Sequence, residues 1–144
     1  MIKIAKACKA NRKQLFVSND IKLVIKFKAA GIYVPSFNKK KGFANLEKKN
    51  IKILGSAHNQ KEIQKKIHQN CTTLFLSPVF EIKKSKKFLG LHKFNYICHR
   101  NNANILALGG ISKHNIRKLK LLHIKGFGGI GIFKKKPAYK RPVF

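Results

Sequence analysis

Acidic residues are nearly missing from this chain. Four of them, Asp20, Glu47, Glu62 and Glu81, stand against 33 Lys and Arg, for a formal net charge of +29 over 144 residues. Chemistry that gathers several carboxylates around a metal, or works through a carboxylate dyad, has almost no material here. Cysteine is scarce too. Cys8, Cys71 and Cys98 are widely spaced, odd in number and without a CxxC pair. That excludes a zinc knuckle and a disulfide framework and leaves buried free thiols. No apolar run approaches the roughly 18–20 residues that cross a bilayer, and no charged-then-apolar segment opens the chain. The expectation is a soluble, cytoplasmic protein with no membrane partner. No strand is followed by the dinucleotide-binding glycine fingerprint or the P-loop pattern, which disfavours both ligand classes.

Positive charge is what the chain has in excess. It is carried almost wholly by lysine, since arginine is limited to Arg12, Arg100, Arg117 and Arg141. Guanine readout and base stacking favour arginine, and no aromatic-lysine motif of an RNA-binding sheet is present. Nucleic acid is therefore disfavoured as a partner. The denser runs at residues 39–41, 83–87 and 134–136 fit solvated lysine faces or a site for a phosphorylated small molecule. With 44% hydrophobic residues the chain can bury a core. Its length suits one domain, at about 100–200 residues per domain. Residues 1–144 are read as that single domain, with 1–13 and 135–144 peripheral.

Short apolar runs at residues 14–18, 32–34, 51–55, 72–77, 104–108 and 126–133 read as strands. Helical spacing separates most of them. A helix over residues 21–30, capped by Asn19 or Asp20, carries Leu23, Val24 and Phe27, and Gly31 ends it. His58 and Asn59 open a second helix, with Ile63 and Ile67 on one face. A third, over residues 91–101, buries Phe94 and Ile97. Ser112 caps a fourth with Ile116, Leu119 and Leu122. Residues 36–50 and 79–90 read as loops, the first with a short helix, and residues 134–144 as an irregular tail.

Short, continuously apolar strands alternating with helices predict βα units around a parallel sheet covered on both faces. About six such units fit an open doubly wound sheet or part of a (β/α)8 barrel. A whole barrel takes about 200 residues or more. In both architectures ligands bind at the carboxyl ends of the strands. Gly109-Gly110-Ile111 before Ser112, and the glycines at 128, 129 and 131 before Phe133 and Lys134, could hold a phosphate on backbone amides or merely close tight turns. His58 could transfer a proton or be a hydrogen-bonded loop histidine. Asp20 could hold a divalent cation with Asn19 or cap a helix.

An ordered set of matches resembles one family, thiamine-phosphate synthase with the related TenI proteins, which are phosphate-binding (β/α)8 barrels. Thr73-Leu-Phe-Leu-Ser-Pro-Val-Phe80 is similar to the family's sixth strand and following loop. Ala107-Leu-Gly-Gly-Ile111 and residues 126–133 resemble the seventh and eighth strands. Leu54-Gly-Ser-Ala-His58 resembles the fifth, Phe16-Val-Ser-Asn-Asp20 the third, and Gly31-Ile-Tyr-Val34 the fourth. The implied fold is a truncated TIM-type (β/α) barrel of about six parallel βα units, without counterparts of the first two before Gln14. The implied reaction couples hydroxymethylpyrimidine pyrophosphate to thiazole phosphate with release of pyrophosphate. The alternatives are a non-catalytic, thiazole-phosphate-binding TenI-like protein and a lysine-rich nucleic-acid-binding protein.

On this resemblance Gly109, Gly110, Phe133 and Lys134 would hold the thiazole phosphate. Asn19, Asp20 and one of Lys83, Lys84 or Lys86 would serve the pyrophosphate, with Mg²⁺ at Asp20. His58 and Ser77 would line the pocket, and Lys84, Lys86 and Ser77 are the catalytic candidates. Where the synthases carry a second metal-binding Asp, Asn38 is the nearest counterpart. After Pro78, where they carry threonines and a lysine, this chain has Glu81-Ile-Lys-Lys-Ser-Lys86. No histidine stands near Ser77 and Pro78 to match the TenI catalytic one. A barrel short of two units exposes two strand edges, which a homo-oligomer or a partner chain would cover.

Overall fold

The structure is a computed structural model that describes residues 1–40, 42–83 and 86–133. Its order is α1 (Ile2–Ala10), β1 (Phe16–Ser18), α2 (Ile21–Lys26), β2 (Gly31–Val34), α3 (Ala44–Glu47), β3 (Lys52–Ala57), α4 (Gln60–His68), β4 (Thr73–Leu76), α5 (Gly90–His99) and β5 (Asn104–Ala107). A 3₁₀ helix (Ile116–Leu121) and β6 (Gly126–Phe127) complete it.

All six strands pair in parallel, in the order β1-β2-β3-β4-β5-β6. This sequential order decides between the two architectures. Right-handed crossovers that always step the same way put every helix on one face, as in a barrel wall; a doubly wound sheet reverses direction midway. The register sorts the side chains accordingly. Ile32, Ile53, Leu74, Ile105 and Ala107 share one face and are buried against the helices. The opposite face carries Tyr33, Leu54, Phe75 and Leu106, which are half-buried. The core therefore lies between sheet and helices, with Val24 of α2, Ile63 of α4 and Phe94 and Ile97 of α5 completing it. Burying each such aliphatic or aromatic side chain contributes about 1.5–3 kcal/mol.

Several element ends differ from the expectation, each for a local reason. α2 stops at Lys26 rather than residue 30, because Lys28 turns left-handed (φ +47°) and the Ala29 amide donates to the Val24 carbonyl, closing the helix. Gly31 does not end that helix. It opens β2, where an added Cβ would lie 2.2 Å from the Lys52 carbonyl oxygen and 2.6 Å from the Phe16 ring. In α4 the buried face is Ile63 and Lys66; Ile67 is 37% exposed. The α-helix expected after Ser112 is a short 3₁₀ segment starting at Ile116. Asn115 binds the backbone at Ser112 and just before it, accepting from the Ser112 amide (2.8 Å) and donating to the Gly110 carbonyl (2.8 Å). Such side-chain bonds compete with helix propagation. β6 ends at Phe127, although the Gly128 amide still donates to the Ala107 carbonyl.

Candidate functional site

Two clusters form at the carboxyl ends of the strands. The first is a cleft of about 620 Å³ after β3, β4 and β5, lined by His58, Ser77, Pro78, Lys87, Lys93 and Gly109 among others. Its floor is set by the loop after β4 lying on the loop after β5. The Val79 and Phe80 amides donate to the carbonyls of Leu108 and Gly109, at 2.9 and 3.2 Å. Gly109 and Gly110 both take positive φ, +91° and +71°. A Cβ at Gly109 would sit 2.7 Å from Pro78, and one at Gly110 would sit 2.5 Å from the carbonyl oxygens of both Phe80 and Glu81. Only glycine fits a backbone that is both left-handed and this crowded. Among the described residues, the amides of Gly109, Gly110 and Ile111 have no hydrogen-bond acceptor. The Ser112 amide is sealed by Asn115, so the helix-end anion site expected there is absent; three bare loop amides stand in its place.

His58 follows β3 and is held by the turn into α4. Asn59 caps that helix by accepting from the Glu62 amide (2.9 Å), and Glu62 reaches back to accept from the His58 amide (2.9 Å), one residue before the cap, and from Asn59 Nδ2 (3.0 Å), a variant of the capping box. The same carboxylate oxygen lies 2.9 Å from His58 Nδ1, so Nδ1–H donates to it and Nε2 is the ring's remaining polar atom. Partial burial pushes the Glu62 carboxyl up, but the hydrogen bonds and charge of His58, with the Asn59 amide, outweigh it and bring it below the usual carboxylate value. Glu62 was not singled out from the sequence, although Asn59-x-x-Glu62 beside His58 is the signal that finds it.

The second cluster joins β1 and β2. Asn19 turns left-handed (φ +57°), and its Oδ1 accepts from Asn38 Nδ2 at 2.7 Å, while Asn38 Oδ1 accepts from the Lys40 amide at 2.7 Å. Asp20 caps α2, its Oδ1 accepting from the Leu23 amide at 2.9 Å. Beneath this loop Lys66 is 1% exposed, its Nζ donating to the Pro35 carbonyl (2.6 Å), the Asn38 carbonyl (2.8 Å) and Gln69 Oε1 (2.8 Å). Desolvation lowers the Lys66 pKa, partly offset by Cys71 and Glu62. Burial pushes the Cys71 thiol up to about 11, against the opposing pull of Lys66, and the Cys98 thiol up to about 11 as well.

The candidates from the sequence divide as follows. His58, Ser77 and Gly109 meet at the cleft, and Gly110 underlies its loop. Asn19 and Asp20 stand at the β1–β2 cluster. Lys83 and Lys86 are exposed and do not line the cleft, whereas Lys87 and Lys93, not singled out before, do. Phe133 is 64% exposed and stacks on Phe127 (centroids 5.8 Å apart) away from the cleft lining. Lys84 and Lys134 lie outside the described residues. Among the described residues no three His, Cys, Asp or Glu gather as a metal cluster, and no helix is long and apolar enough to cross a membrane.

Sequential parallel strands, helices on one face and a cleft at the strand carboxyl ends define a partial (β/α) barrel. The thiamine monophosphate synthase family matches residues 1–131, and the chain belongs to that family. The chain is 32% identical over 129 residues to the thiamine-phosphate synthase of Prochlorococcus marinus subsp. pastoris, covering 83% of this chain and 35% of that protein. It is 28% identical over 125 residues to the synthase of another P. marinus strain, SARG, covering 85% and 36%. It thus spans about a third of these relatives' length. The fold is similar to thiamine phosphate pyrophosphorylase from Pyrococcus furiosus, with TM-score 0.71 and 18% identity, over 88% of this chain and 61% of that one.

Proposed function

We propose that this chain serves the transferase reaction of its family, coupling hydroxymethylpyrimidine pyrophosphate to thiazole phosphate with release of pyrophosphate. The observation that carries the reading is the cleft at the ends of β3, β4 and β5, lined by His58, Ser77 and Gly109, whose loop holds, among the described residues, the acceptor-free amides of Gly109, Gly110 and Ile111. Converging amides bind a phosphate dianion without a side chain, and the Lys87 and Lys93 ammonium groups lining the cleft add point charge. Glu62 holds the His58 ring through Nδ1, which leaves Nε2 as the polar atom the ring can offer to a ligand in the cleft. Asn19 and Asp20 serve the pyrophosphate end of the substrate pair. Catalysis of this kind consists of positioning two substrates and stabilising the departing anion.

Mg²⁺ fits this donor set only as an ion shared with substrate. Asp20 is the carboxylate that lines the small cleft with Asn19 and Asn38, and one of its oxygens is committed to α2. Mg²⁺ accepts a site of one or two carboxylates completed by phosphate oxygens and water. When bound there with pyrophosphate it would neutralise the leaving group's charge. Self-association or a partner chain across the β1 and β6 edges belongs to the same proposal, and sedimentation reads it.

The test is to mix both substrates with Mg²⁺ and assay thiamine phosphate. Product formation is the expected result. Absence of product, with neither substrate raising the melting temperature, overturns the reading. Thiazole phosphate binding without turnover leaves the ligand-binding alternative, which Asn38 in place of a carboxylate favours.

A further inference from the structure

A buried ammonium with no carboxylate at hydrogen-bond distance among the described residues calls for an explanation, because an apolar side chain would fill the same space without desolvating a charge. Lys66 has three donors, and all three are used: the carbonyls of Pro35 and Asn38 and the side-chain oxygen of Gln69. Gln69, itself 5% exposed, donates through Nε2 to the carbonyls of Asn38 (3.0 Å) and Lys40 (2.6 Å). Lys66 in the last turn of α4 and Gln69 at its C-cap thus grip three carbonyls of the loop that leaves β2, and they grip that of Asn38 twice. The consequence lies at the other end of the same residue. With its carbonyl drawn inward, Asn38 extends its side chain to Asn19 at the end of β1.

We propose that Lys66, with Gln69, is a positioning residue that fixes Asn38 against Asn19 and so sets the pyrophosphate end of the site. The inference rests on the synthase reading for its ligand, but the clamp itself is testable without it. The Lys40 amide donates to Asn38 Oδ1 at 2.7 Å, so in the wild-type protein its exchange with solvent is expected to be slowed while that contact holds. Lys66→Met speeds that exchange at least about tenfold while β4 amides stay protected, as expected for local rather than global opening. Binding of inorganic pyrophosphate with Mg²⁺ weakens by about tenfold or more, as for an outer-shell partner, and inorganic phosphate binding at the β4–β5 cleft does not change. In an Asn38→Ala background Lys66→Met no longer weakens pyrophosphate binding, because its effect runs through Asn38.

Unchanged exchange at Lys40 in Lys66→Met overturns the clamp. Equal loss of phosphate and pyrophosphate binding also overturns it, since that marks a merely structural residue. Should Lys66→Met fail to fold, Gln69→Leu removes the grip on the Asn38 and Lys40 carbonyls and decides by the same measurements. Fast exchange in the variant, with no pyrophosphate binding by the wild type, upholds the clamp and removes the synthase reading instead.

Discussion

At the β1–β2 rim the loop is held by side chains: Lys66 and Gln69 take its carbonyls, and Asn19 takes Asn38. At the β4–β5 rim the loop is held by backbone on backbone, with Pro78, Phe80 and Glu81 lying directly over two left-handed glycines. The two halves of one strand-end surface therefore respond differently to change. A side-chain clamp can be loosened one bond at a time, each worth about 0.5–1.5 kcal/mol net. A contact between bare backbones has no intermediate setting, since any Cβ must displace the loop above it. The first rim is adjustable and the second is not.

The sharpest break of this comparison is Gly110→Ala. The new Cβ meets two carbonyl oxygens at 2.5 Å in a left-handed backbone, so a loss of more than about 2 kcal/mol is expected, or roughly 4–8 °C in melting temperature. Inorganic phosphate binding should vanish with it. A variant that melts within a degree of wild type and still binds phosphate would remove the account of that rim.

Asn38→Asp tests the adjustable rim. The change replaces the donated bond to Asn19 with two facing oxygens, and without metal it should cost about 1 kcal/mol. With Mg²⁺ and pyrophosphate the added carboxylate should reverse the sign and give a larger ligand-induced rise in melting temperature than wild type shows. A smaller rise speaks against metal at this rim.

Glu62→Gln probes the join between the rims. Because the Glu62 pKa is depressed on folding, its contribution is present above the unfolded value of 4.5 and is lost as pH falls through the folded one. Wild type should lose stability on that acid limb, and Glu62→Gln should be about 1 kcal/mol weaker at neutral pH with a flatter limb. Parallel acid limbs would contradict the assignment.

The smallest effect concerns the thiols. Cys71 and Cys98, pushed to about 11 by burial, should resist an aromatic disulfide reagent at pH 8 in the folded protein. Cys8, half-buried on α1, should react. Rapid labelling of all three would mean the core opens readily.

Much of this architecture was legible in the residues. Strands were expected wherever short apolar runs met glycine, proline or a helix cap, and each such run holds one, because the helix-side face is buried and the opposite face, with Tyr33, Leu54, Phe75 and Leu106, is still half-buried. The capping signals at Asp20 and Asn59 are local chemistry and survived into the fold. The misjudged positions depend on neighbours distant in sequence. Lys66 reads as one more surface lysine until Pro35 and Asn38, about thirty residues away, arrive with their carbonyls. Lys87 and Lys93 line the cleft rather than Lys83 and Lys86, because the entry of the chain into α5 decides which lysines return to the strand ends. Asn115 cancels a helix start that Ser112 advertises.

The amino-acid order alone thus determined a run of βα units, their caps and the glycines after β5, since these follow from periodicity and from what a backbone can do locally. The direction of winding, the burial of Lys66 and the meeting of Asn38 with Asn19 were decided by tertiary structure. Parallel pairing and carbonyl coordination join segments whose separation along the chain leaves no local trace.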